Sequence, residues 1–194
     1  MKVKFVITLV LLSLLQSCGL FRNIREEVDL VRSSKRMRAD FEYRFTEERM
    51  TPLILITQTV VKESKPDALP KLTFYERIRL NASSFKLEKN VYVLVDDVAY
   101  PGKIESMEFE REYKMEEKRK DVVTLDSSKI SVVTGVNNFE NNLYRLTYTI
   151  DDEAIEKIKS CSKIRFRYYA GPDMITTGMY RYDLETLKML VQSN

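Results

Sequence analysis

Apolar and polar positions change their spacing twice along this chain. Residues 5–15 are apolar apart from Thr8 and Ser13, and residues 19–38 are polar with a sparse apolar stripe. From Asp40 onward, alternation of period two takes over. In the second segment Ile24, Val28 and Val31 recur at i, i+4 and i+7, which predicts a short helix. Arg22, Arg25, Arg32, Lys35, Arg36 and Arg38 outnumber Glu26, Glu27 and Asp29 there. The segment reads as a solvated tether, with a basic hold on anionic headgroups as the second reading.

The period-two region predicts strands. Phe41, Tyr43 and Phe45 alternate with Glu42, Arg44 and Thr46, the pattern of a half-buried strand. Residues 53–61 are rich in β-branched side chains and read as a central strand, followed by a loop over 62–71 containing Pro66 and Pro70. Residues 72–80 place Leu72, Phe74, Ile78 and Leu80 on one face, with Glu76 interrupting them. The triplet Asn81-Ala82-Ser83 reads as a turn. Residues 91–95 form a short strand closed by Asp96-Asp97, and Pro101-Gly102 turns the chain back.

Met107, Phe109, Tyr113 and Met115 then alternate with Glu108, Glu110, Glu112, Lys114 and Glu116. A strand separates these two sets cleanly and a helix would scatter them. The charged set is expected to face solvent and to guard an edge against pairing. A charged hairpin loop over 116–121, weaker strands over 122–125 and 129–134, and an Asn-rich loop over 135–142 complete this stretch. Residues 143–150 predict a strand, and Asp151 is placed to cap a helix to Ser160 with Ile150 and Ile155 as a staple. A hairpin of residues 163–170 and 174–182 follows, and Asp183 is placed to cap a last helix through Val191. About ten short strands and two short helices after the tether helix imply a mainly β fold, an antiparallel β-sandwich or partly open barrel. Residues 40–194 read as its single domain.

Composition adds exclusions. Apolar residues make up 44% and charged residues 31% of the chain, values suited to a packed domain. Of the 32 basic residues, Lys2 and Lys4 lie in the first segment; the remaining 30 face 29 acidic ones. That near-neutral balance lacks the basic stripe a nucleic acid requires. The chain has no His, which removes the commonest general base and zinc ligand. Neither a cofactor nor a metal is expected. Asp96-Asp97 and Asp151-Asp152-Glu153 carry calcium-type oxygens but not the spacing of a calcium loop, and read as turn and cap residues.

The first segment has a recognisable order. Lys2 and Lys4 precede the apolar run, which ends in Leu15-Gln16-Ser17-Cys18. The run is too short for a permanent span and suits a secretory signal. Its end resembles the lipobox of bacterial lipoproteins, Gln16 being a departure from the small residue usual there. The resemblance implies cleavage after residue 17, a diacylglyceryl group on the Cys18 sulfur, and a lipidated tether over residues 18–39. Gly19 in place of Asp further implies the periplasmic face of an outer membrane. With Cys18 lipidated, Cys161 has no partner for an intramolecular disulfide.

The remaining chemistry is sparse. Cys161 without a His to activate it reads as a buried side chain beside Ile158. Tyr168, Tyr169, Tyr180 and Tyr182, interleaved with Arg165, Arg167 and Arg181, form the candidate binding face, because Tyr and Arg dominate binding hot spots. The expected function is a non-enzymatic, lipid-anchored envelope protein. Its partners are the membrane through Cys18 and an envelope protein or glycan at the β domain. A β-barrel carrier or sensor of a small apolar ligand is the alternative, and a carboxylate-based envelope enzyme the third.

Overall fold

The computed structural model describes residues 24–193 apart from 32, 67 and 124–128. Cys18 and the signal-like segment lie outside the described residues. Ten strands run in chain order as β1 (Ile24–Asp29), β2 (Ser34–Tyr43), β3 (Leu53–Lys65), β4 (Ala68–Asn81), β5 (Leu87–Val95), β6 (Val98–Pro101), β7 (Lys103–Val123), β8 (Lys129–Thr149), β9 (Ile164–Ala170) and β10 (Asp173–Gly178). Helix α1 (Asp152–Ile158) lies between β8 and β9, and α2 (Arg181–Gln192) ends the described chain. The fold is mainly β, with a curled six-stranded sheet ordered β1-β2-β3-β4-β8-β7 and a four-stranded sheet ordered β10-β9-β5-β6. Adjacent strands are antiparallel throughout.

Period-two alternation decides which side chains enter the core. Register aligns Val60, Phe74 and Tyr148 across three strands, then Gln58, Glu76 and Leu146, then Ile56, Ile78 and Tyr144. These rows form the inner face of the larger sheet. The smaller sheet answers with Val91, Val93, Ile164, Phe166, Tyr168 and Ile175, all buried. Phe74 stacks on Tyr148 at 5.0 Å, and Phe166 reaches Phe74 at 6.3 Å and Tyr43 at 5.7 Å. Ring contacts therefore bridge the two sheets. Helix α2 packs on β2 and β3 through buried Leu184, Leu187, Leu190 and Val191. Lys62 Nζ donates to the Val191 carbonyl at 2.7 Å and to that of Ser193, placing a cation at the negative end of the helix.

Two local devices hold the smaller sheet. Asp96 and Asp97 form a two-residue β5–β6 loop with φ of 46° and 73°, the left-handed pair that a twisted hairpin favours. Asp96 Oδ1 accepts from Ser162 N, Ser162 Oγ and Lys163 N at 2.8–3.0 Å. The β2–β3 loop closes the β10 edge: Glu47 N donates to Thr176 O at 2.8 Å. Thr176 N donates to Glu48 Oε2 at 2.7 Å and Thr177 Oγ1 to Phe45 O at 2.9 Å. From β6 the chain passes directly into β7 at Gly102, whose N–H donates to Val91 O at 2.8 Å.

Several expectations are corrected. Residues 24–29 and 34–38 are not part of a tether helix but of the paired strands β1 and β2, so the larger sheet already includes residues before 40. A spacing of four places Ile24 and Val28 on one face of a strand as well as of a helix, and Val31 lies in the turn. Residues 116–121 and 135–142 are not loops; they belong to β7 and β8, 21 residues each. Neither helix has a side-chain N-cap: Asp151 instead pairs with Lys103, and Tyr180, not Asp183, is the N-cap of α2.

Candidate functional site

The binding face expected at the C-terminal hairpin is divided by the fold. Tyr168 points into the core and is fully buried. Arg165, Arg167 and Tyr169 share the outer face of β9. Arg165 donates to Glu47 Oε2 at 2.8 Å and pairs with Asp97, Arg167 Nε donates to Thr176 Oγ1 at 3.0 Å, and Tyr169 meets Tyr92 edge-on at 6.2 Å. Tyr180, Arg181 and Tyr182 are not on a strand, because β10 ends at Gly178 and α2 starts at Arg181. Their side chains are exposed at the beginning of that helix. The seven residues thus make no common platform.

Tyr168 belongs instead to a buried polar cluster. Glu76 Oε1 accepts from Gln58 Nε2 at 2.6 Å, Tyr148 OH at 2.7 Å and Tyr168 OH at 2.9 Å. Tyr43 OH donates to Gln58 Oε1 at 2.9 Å. Each of these five residues is at most 2% exposed. Burial raises the Glu76 carboxyl above the usual range and outweighs the three donors that favour its charged form. Oε2 is buried without a hydrogen-bond partner. The carboxyl group so enclosed ties β3, β4 and β8 to β9. The alternation along residues 72–80 marked Glu76 as an interruption, and only the tertiary fold supplies its partners.

A group of exposed apolar side chains lies on β7 and β8. Pairing of β8 with β4 ends at Asn141 opposite Asn81, whereas pairing with β7 continues to Val123 opposite Lys129. Beyond Glu112, β7 and β8 therefore leave the body as a two-stranded ribbon, roughly 35–40 Å long at ~3.3 Å per residue. On the face that continues the inner side of the sheet, Phe109, Tyr113, Met115 and Val136 are exposed, Tyr113 by 69% and Met115 by 76%. Phe109 rests on Tyr144 at 5.1 Å. The opposite face is charged and laced to the body: Arg79 Nε donates to Glu112 Oε2 at 2.7 Å and Arg145 to Glu110 at 2.6 Å. A depression of about 780 Å³, lined in part by Ile54, Arg79, Glu112 and Phe139, lies where the ribbon leaves the body.

The other candidates fall in place as structural residues. Cys161 is buried, its thiol donates to Ile158 O at 3.3 Å, and burial raises its pKa, the opposite of what a nucleophile needs. Among the described residues no group of three acidic or Cys side chains is placed to hold a metal. Neither a family model, nor a curated protein, nor a solved structure matches the chain.

Proposed function

We propose that the chain is a lipid-anchored protein of the bacterial cell envelope that binds another envelope component without catalysing a reaction, and that it does so through the β7–β8 ribbon. The observation that supports the binding role is the exposed row Phe109, Tyr113, Met115 and Val136, the last three on the part of β7 and β8 that runs on past the pairing with β4. Exposed apolar side chains gathered on one surface mark interaction sites. The anchoring rests on the lipobox-like residues 15–18. A lipid on Cys18 would hold the domain at the membrane, where a face of modest affinity is effective because its partner is concentrated there. The interior favours this reading over a carrier of small apolar ligands: Tyr43, Phe74, Tyr148, Phe166 and Tyr168 fill the space between the sheets.

Two measurements test the two halves. Cys18→Ala is expected to abolish incorporation of labelled palmitate and to move the protein from the membrane to the soluble fraction; unchanged fractionation sinks the anchoring. In cross-linking from intact envelopes, the double variant Tyr113→Ser with Met115→Ser is expected to lose at least ten-fold of a cross-linked partner. An unaltered yield sinks the ribbon as the binding element.

A further inference from the structure

We propose that β7 pairs with β7 of a second copy of this chain, antiparallel and about a two-fold axis through Met115. Strand β7 is the last of the larger sheet, so one of its edges carries unpaired N–H and C=O groups along 21 residues. Such an edge is a template for another strand; β1, at the opposite end, is six residues long. The single extra residue near the ribbon's middle, Thr134, sits in β8, since Lys118 pairs with Gly135 and Arg119 with Val133. Strand β7 itself stays regular there and can accept a straight partner.

The charges choose the partner. Reading outward from the body, one face of β7 carries Glu110, Glu112 and Lys114 before Met115, and Glu116, Lys118 and Lys120 after it. Reversed end for end, the order of signs is inverted. In an antiparallel pair centred on Met115, Lys114 lies opposite Glu116, Glu112 opposite Lys118 and Glu110 opposite Lys120, each twice by symmetry. Directly opposed residues share a face, so all these pairs fall on one side. Opposite charges placed so support a sheet and like charges oppose it. No other centre within the stretch aligns all six. Among the described residues Lys118 and Lys120 form no ion pair within the chain, whereas Glu110 and Glu112 already hold Arg145 and Arg79. Pairing would supply the free lysines with carboxylates. On the other face Met115 meets Met115 and Tyr113 meets Glu117. The like-charged pair is Arg111 with Arg119, and Arg119 is already neutralised by Glu117 at 2.8 Å.

This arrangement is isologous, closes on itself and leaves the apolar face of each ribbon open. It rests on the ribbon being an interaction element, not on the identity of the envelope partner. The test is a cysteine cross-link in the full chain, in its own membranes. Opposed residues of an antiparallel pair have Cα atoms within disulfide range, so Met115→Cys is expected to give a disulfide-linked dimer on mild oxidation. Lys120→Cys, whose two copies would lie roughly 33 Å apart at ~3.3 Å per residue, is expected to give at least ten-fold less. Adding Lys118→Glu with Lys120→Glu to Met115→Cys is expected to reduce the dimer at least ten-fold. Light scattering of the unaltered chain in detergent, corrected for bound detergent, is expected to give twice the monomer mass.

A monomer by light scattering, equal cross-linking at 115 and 120, or a link from position 115 to a different protein overturns the proposal. A monomer that still loses its cross-linked partner when Tyr113 and Met115 are changed would remove only the self-pairing. A dimer indifferent to those two side chains in partner capture would remove only the binding role.

Discussion

The hydroxyl of Tyr168 and the carboxyl of Glu76 meet 2.9 Å apart, across the gap between the two sheets and 92 residues apart in the chain. This bond joins the smaller sheet to the buried polar row of the larger one. A hydrogen bond to a buried acid contributes little net stability while it is made, but leaving the acid short of a donor is costly. Tyr168→Phe is therefore expected to lower unfolding free energy by about 1–3 kcal/mol in urea titrations. A change within error would mean that the cluster tolerates two donors as well as three.

The same cluster gives a pH dependence with a defined sign. Burial raises the folded pKa of Glu76 above its ordinary value of 4.5, so the folded chain holds that proton more tightly than the unfolded one. Its contribution is fully present below pH 4.5 and is lost as pH rises toward the raised folded value. Each pH unit in that window removes up to about 1.4 kcal/mol. Relative to Glu76→Gln, which has no proton to lose, the parent chain is expected to weaken as pH rises above 4.5. Parallel stability curves for the two proteins would contradict this.

Gly102 marks the place where the chain crosses from the smaller sheet to the larger. A Cβ there would lie 2.4 Å from Val91 Cγ1 and 2.9 Å from Tyr148 Cδ2, and both neighbours are held in the core. Gly102→Ala is expected to cost about 1–3 kcal/mol through overpacking, read as a lower thermal midpoint. Gly135→Ala, where a Cβ meets nothing within 4 Å, is the matched control and is expected to change little.

The ribbon should be separable from the fold. Replacing residues 113–140 by Asn-Gly would close Glu112 and Asn141, which already face each other, with a two-residue hairpin turn. No described residue of that stretch is part of the core cluster, so the shortened protein is expected to keep its cooperative transition within a few degrees. Its partner capture and its dimer would both disappear. Loss of folding would instead show that the ribbon supports the sheet.

Where side chains alternate between core and water, the strands were legible from the chain: Phe41 and Tyr43 in β2 and Phe74 and Ile78 in β4 face as their spacing requires. Legibility failed where that contrast is missing. Residues 116–121 and 135–141 are wetted on both faces, so their charges and asparagines resemble loop composition although the backbone is paired. Glu76 looked like a defect in its row because its donors come from Gln58, Tyr148 and Tyr168, which only the register and the stacked sheets bring together. Tyr180 and Tyr182 continued the alternation of β10 past the point at which the helix begins.

The loop over residues 45–48 has a consequence for how the molecule resists misassociation. It already occupies the main-chain groups of Thr176 through Glu47 and Glu48, and Phe45 O accepts from Thr177 Oγ1, while β6 on the far side is only four residues and ends in Pro101. A foreign strand can enter the smaller sheet at β10 only after that loop has been prised off. Templated growth, whether into a symmetric pair or into a disordered aggregate, is thereby directed to the larger sheet. The two layers differ in accessibility: one is sealed at its rim, and the other leaves a 21-residue strand open at its edge.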